Sequence, residues 1–288
     1  MKQMNAARRQ AHWDLRAAGN FIGGGTGCGL VMACALAVLS GAPLPALALA
    51  VGAACIGAGL TLVWLEIGKP WRALHVFFHP QTSWMTREGI LAGPLLGSCA
   101  LAWWFNQPAW LALAAPLAAG FLYAQARILR AARAIPAWSN PKGVPLVIAT
   151  GLAEGLGAFV ALAALAGGPT GAAPLLVVLA ALGAGIAREV LRTAYRRALG
   201  AARAPQPTLA WFARPEVHAL QATRIASVLL LAAGLTGAQW ALALGGLLAV
   251  AGGWGFKVVL ITRAAYTRGA AIPITPTRGR SQARSVAL

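Results

Sequence analysis

Apolar residues in this chain come in long unbroken runs, not in alternation and not in narrow stripes. Eight such runs can be drawn, over 19–40, 44–66, 87–106, 109–131, 145–167, 172–194, 217–236 and 239–262. Wound as helices, runs of about 20 residues match a bilayer core of roughly 30 Å. Their continuity excludes an outer-membrane barrel, whose strands alternate apolar and polar positions. The pattern therefore predicts an all-α polytopic membrane protein with eight transmembrane helices. A leader over 1–18 precedes them, the transmembrane domain covers 19–263, and a basic tail follows over 264–288. The first run has no small-residue cleavage site and is read as a retained span.

The connections between runs add an orientation. The 24 Lys and Arg residues fall in the leader, near the 2–3, 4–5 and 6–7 connections, and from the end of the eighth run onward. The turns at 41–43, 106–108, 167–174 and 236–239 carry none. Cationic connections stay inside, so both termini are expected in the cytoplasm and the chain in a bacterial inner membrane. The short charge-free turns make runs 1–2, 3–4, 5–6 and 7–8 helical hairpins, grouped as two four-helix bundles. The cations are expected at helix ends and in loops, where they meet anionic lipid. Composition agrees: 59% of residues are hydrophobic and 10% charged, against about 25% charged in soluble domains. The formal charge of +18 does not indicate nucleic acid, because no folded soluble module remains to bind it.

Small residues are expected to set the helix contacts. Gly23 and Gly27, Gly93 and Gly97, and Gly151 and Gly155 are spaced as small-xxx-small pairs. The run Gly23-Gly24-Gly25-Thr26-Gly27 opens a membrane helix and follows no strand. It is read as close backbone packing and not as a phosphate loop.

Few residues carry chemistry. Cys28, Cys34, Cys55 and Cys99 lie in apolar runs without CxxC spacing, which does not suit zinc or an iron–sulfur cluster. His12, His75, His79 and His218 avoid the middle of every run, so facing haem ligands are not expected. The chain is thus expected to hold no haem or iron–sulfur cluster of its own. Among the six acidic residues, Asp14, Glu66, Glu88, Glu189 and Glu216 lie near run ends, most of them beside an Arg. Glu154 differs. It lies about nine residues, or roughly 13 Å, into the fifth run. A carboxylate there needs a partner, a cavity or a ligand, and Glu154 is read as a candidate for a proton path.

The densest polar constellation is the connection over 65–88. Trp71, Leu74, Phe77 and Phe78 have the spacing of one apolar face of a short interfacial helix. Glu66, Arg72, His75, Trp84, Arg87 and Glu88 exceed what a plain anchor needs. The segment carries Gly68-x-Pro70, then Arg72, then Ser83-Trp84-x-x-Arg87-Glu88. It resembles the dimethyl sulfoxide reductase-type membrane anchor subunits, which belong with the polysulfide reductase-type subunits. The span count and length extend the likeness over the chain.

The resemblance implies a quinone-binding anchor of a molybdopterin/iron–sulfur oxidoreductase complex, of the kind used in anaerobic respiration. Such an anchor passes electrons between a four-cluster ferredoxin-like iron–sulfur subunit and menaquinone or ubiquinone. A molybdopterin catalytic subunit completes the complex. The six polar residues named above would bind the quinone. Family members often have His-x-Gly where this chain has Glu66-Ile67-Gly68. A carboxyl there can still hydrogen-bond a quinol or accept its proton. The basic side holds this segment, so the soluble partners are expected in the cytoplasm. The leader Trp13-Asp14-Leu15-Arg16 through Gly25 leans toward the anchors of phenylacetyl-CoA:acceptor oxidoreductases. A secondary transporter is the alternative, motivated by Glu154 and the even span count. Against it stands the lack of broken helices with several midplane polar groups.

Overall fold

A computed structural model describes residues 3–5, 7–66, 75, 77–167, 172–268 and 270–271. It is helical throughout, apart from a short antiparallel pairing of Gln3–Asn5 with Ala270–Ala271. The principal helices are α1 (Leu15–Leu39), α2 (Ala46–Glu66), α3 (Trp84–Trp104), α4 (Leu111–Ala131), α6 (Gly143–Leu165), α7 (Ala172–Ala201), α9 (Pro215–Gly234) and α10 (Gln239–Val258). Two short helices, α5 (Pro136–Ser139) and α8 (Gln206–Phe212), sit in the connections, and a π-turn over Val259–Arg263 ends α10. Among the described residues, six helices are long and apolar enough to cross a membrane: all of these principal helices except α3 and α7. Those two are 21 and 30 residues long, but α3 opens with Arg87 and Glu88 and α7 carries four Arg and one Glu.

Local sequence accounts for the helix ends. Asp14 caps α1, accepting a hydrogen bond from the Arg16 backbone N–H, and Ser83 caps α3 through the Thr86 N–H. The Arg16 guanidinium hydrogen-bonds Asp14 and holds its carboxyl below the usual carboxylate range. The four charge-free turns reverse through left-handed residues: Gly41 (φ 92°), Asn106 (φ 48°), Gly167 (φ 112°) and Gly237 (φ 97°). A helix that ends on such a residue satisfies its last carbonyls and turns back at once. The result is the four hairpins α1–α2, α3–α4, α6–α7 and α9–α10, all tightly packed.

The hairpins close into two rings. In one, α1 packs on α2 and α4, and α3 on α2 and α4; in the other, α6 packs on α7 and α10, and α9 on α7 and α10. The rings join mainly through α1 and α6. This is the two-bundle grouping read from the turns.

The glycine run explains why α1 can sit at the centre. A Cβ at Gly23 would collide with the Cys55 carbonyl of α2, and one at Gly29 with the Gly151 carbonyl of α6. At Gly24 it would meet the Gln125 side chain of α4, and at Gly25 the Lys257 amine of α10. Four helices therefore approach one helix along successive glycines. Gly151 and Gly155 pack as read, with Gly155 against the Gly29 backbone. Gly93 and Gly97 do not: a Cβ at either would meet open space, so that pair makes no helix contact among the described residues.

Near the two ends of the described chain, residues 8–10 and 265–267 lie side by side. Thr267 donates its N–H to the Arg8 carbonyl at 2.9 Å, and Gln10 to that of Ala265 at 2.9 Å. Beneath them, Trp13 stacks on Trp138 with ring centroids 4.8 Å apart, and the Trp138 indole donates to the Leu260 carbonyl at 2.9 Å.

Candidate functional site

Polar side chains enter the apolar interior in three groups. The first stands at the start of α3. Glu88 is 5% exposed and accepts a hydrogen bond at 3.2 Å from Asn20 of α1. Gln125 of α4 braces Asn20 in turn, donating to the Asn20 carbonyl at 3.1 Å. Trp84 lies four residues earlier, so it shares a helix face with Glu88. The Arg87 guanidinium stands 4.1 Å from the Trp84 ring centre and that of Arg127 stands 4.4 Å from it. Tyr123 meets the same ring edge-on and accepts a hydrogen bond from Arg127 at 2.6 Å. Arg87 also ties the preceding turn, donating to the Pro80 and Gln81 carbonyls. Outside this cluster a cleft of ≈ 510 Å³ is lined by Thr82, Trp84, Arg127, Arg130, Arg133 and Ser139.

The candidates from the 65–88 segment thus divide. Trp84 and Arg87 come together, with Glu88 one turn below. Glu66 ends α2 half-buried, where Arg16 acts on it electrostatically and hydrogen-bonds the neighbouring Leu65 carbonyl. His75 is exposed and packs beside Phe78, ring centres 5.6 Å apart. Arg72, with Trp71 and Leu74 of the expected interfacial face, lies outside the described residues.

The second group surrounds Glu154, which lies eleven residues past the start of α6, roughly 16 Å along it. Glu154 is fully buried and pairs with Lys257 of α10, Nζ to Oε2 2.6 Å. Lys257 also donates to the Phe21 carbonyl at 2.8 Å. Thr26 of α1 donates to the same carboxylate oxygen at 2.9 Å and accepts from the Trp254 indole at 2.9 Å. The other oxygen, Oε1, is buried without a hydrogen-bond partner. The first and second groups approach each other across α1, where Gln125 lies against Gly24 and Lys257 against Gly25.

The third group joins α7, α9 and α10. Glu189 accepts from Arg224 at 2.7 Å and from Arg192 at 2.8 Å, with the Arg188 Nε at 3.7 Å. Arg188 and Arg224 are each 1% exposed.

These groups correct the expectation that cations stay at helix ends and in loops. Arg188, Arg192, Arg224 and Lys257 are buried inside the bundle. Sequence reading missed them, although its own run boundaries placed Arg188, Arg192, Arg224 and Lys257 within spans. A cation inside an apolar run signals a buried partner or a ligand. Asn20, Thr26 and Gln125 gave no signal of their own, being uncharged residues inside apolar stretches.

Fold and site together define a helical membrane protein with an ionised interior. The sequence matches no protein-family model and no curated protein.

Proposed function

We propose that this chain is the quinone-reactive membrane anchor of a molybdopterin/iron–sulfur oxidoreductase complex. In this reading all eight principal helices span a bacterial inner membrane, with both termini and the cation-bearing connections in the cytoplasm. The iron–sulfur subunit docks on that face. The observation that carries the reading is the buried Glu88 one turn below the Trp84–Arg87–Arg127 cluster, within the segment that resembles the anchor family. A quinone head group needs donors for its carbonyl oxygens, an aromatic or apolar wall, and an acceptor for the protons released on quinol oxidation. Arg and Trp side chains supply the first two, and the Glu88 carboxylate supplies the third. Asn20, itself braced by Gln125, fixes that carboxylate in place. Glu66, Arg72 and His75 belong to the mouth of the site, and Glu154 to a proton path behind it.

The test is Glu88→Gln in the intact complex. Quinone-coupled turnover is expected to fall roughly a hundredfold. Transfer to a soluble artificial acceptor should be unchanged. Wild-type quinone turnover in this variant would remove Glu88 from the site, and the same outcome in Glu66→Ala would remove Glu66.

A second reading, a secondary transporter, is favoured by the Glu154–Lys257 pair, an ionised midplane group with one unpartnered carboxylate oxygen. Substrate uptake by proteoliposomes containing this chain alone would support it over the anchor.

A further inference from the structure

We infer that the α7–α9–α10 cluster is a binding site for a phosphate-type oxyanion, held by Arg188, Arg192 and Arg224. Guanidinium groups stay charged in proteins, so the cluster sets three positive charges against the single carboxylate of Glu189. The formal excess is two, and Arg188 and Arg224 are buried. Uncompensated charge in an apolar bundle is costly and calls for a counter-charge.

The chain has no second carboxylate side chain to offer. All six acidic residues are described. Asp14 pairs with Arg16 and Glu88 bonds Asn20; Glu154 also acts electrostatically on Arg188, but it pairs with Lys257, so the two together leave the excess at two. Glu66 lies near Arg16, and Glu216 is exposed at the start of α9.

The guanidinium donors are also left over. Arg188 Nη1 donates to the Ala249 carbonyl at 3.3 Å and Arg224 Nη1 to that of Gly252 at 3.4 Å. Arg188 Nε and Nη2 and Arg224 Nη2 are buried without a hydrogen-bond partner. Buried donors without partners are rare, and planar guanidinium forks match the oxygens of a phosphate. Gly252 makes room for this arrangement, since a Cβ there would stand 2.5 Å from Arg224 Cγ.

The cluster opens to one side. The side chains of Glu189 and Arg192 are 19% and 10% accessible, against 2% for Arg188 and Arg224. Ile186, Val190, Ile225 and Leu229 flank these residues along α7 and α9 and are exposed. Apolar surface beside a buried cationic cluster suits a phospholipid whose head group reaches in between helices. A free phosphate ion offers the same oxygens.

The experiment uses the full chain, purified in detergent and stripped of lipid. Thermal unfolding is followed while phosphatidylglycerol, diacylglycerol or inorganic phosphate is added, and native mass spectrometry counts retained lipid. Stabilisation and retention specific to phosphatidylglycerol support the site with lipid as its source. Stabilisation by inorganic phosphate at least as strong supports it with a soluble source. The double variant Arg188→Gln/Arg224→Gln should lose about tenfold or more in affinity for the stabilising anion, whereas Arg203→Gln, at an exposed residue past the end of α7, should lose none.

Glu189→Gln guards against simple misfolding. With the competing carboxylate gone, an oxyanion site gains affinity and its stability becomes more dependent on the added anion. A merely structural ion cluster would lose stability to the same extent with or without anion, and that result would overturn the proposal. So would equal responses to phosphatidylglycerol and to diacylglycerol, which has no phosphate, with none to inorganic phosphate.

Discussion

Lys257 and Glu154 form an ion pair with 1% and 0% of their side chains accessible, on helices α10 and α6. Two charges taken out of water attract strongly, but each loses its hydration. Removing one partner strands the other. Glu154→Gln or Lys257→Met alone is therefore expected to cost about 3–5 kcal/mol, read as a lower unfolding midpoint in detergent. Replacing both, as Glu154→Leu with Lys257→Met, should recover most of that loss. A double variant as unstable as the sum of the singles would show that the pair is not coupled. Thr26→Val should cost less, about 1–2 kcal/mol, by removing one donor to the carboxylate and the acceptor for Trp254. Glu154 was legible in the sequence because one carboxylate in an apolar run has no local explanation. Its partner was not, since Lys257 lies near the end of its run and reads equally well as an interfacial cation. Only the packing of α10 against α6, through Gly157 and Gly246, brings the two together.

Among the helices, α1 shows how small residues set an architecture. Its glycines face α2, α4, α6 and α10 in turn, and at Gly29 the backbones of α1 and α6 touch without intervening side chains. Gly155→Ala is expected to force these two helices apart, at a cost of about 1–3 kcal/mol or more. Gly93→Ala makes the opposite prediction. Its Cβ enters open space, and alanine is the better helix former by roughly 0.5–1 kcal/mol. Unfolding midpoints of the two variants should therefore move in opposite directions. Spacing alone could not separate the pairs, because glycines four apart look alike whether a neighbour covers them or not. The helix ends were easier to read. Pro, Gly and Asn at the turns and Ser83 and Asp14 at the caps act within a few residues of themselves, and such local signals survive in sequence. The pairing of helices into two rings followed from short turns, while the joining of the rings through α1 and α6 depended on long-range packing.

At the level of the whole molecule, residues 8–10 and 265–267 meet beside the aromatic contacts of Trp13 and Trp138. The proposed orientation places this end in the cytoplasm. It predicts that a cysteine introduced at Thr236, in the α9–α10 turn, reacts with a membrane-impermeant maleimide in intact cells. One introduced at Arg203, past the end of α7, should react only after the cells are opened. The reverse pattern would invert the topology and move the proposed docking face to the other side of the membrane. The central claim is tested most directly by the metal content of the complex that this chain retains. The chain is tagged and drawn from its native membrane in mild detergent, and iron and molybdenum are measured against it. The anchor reading predicts stoichiometric molybdenum, with iron enough for a four-cluster ferredoxin-like subunit. A chain that purifies alone, with neither metal and no iron–sulfur protein, would contradict it.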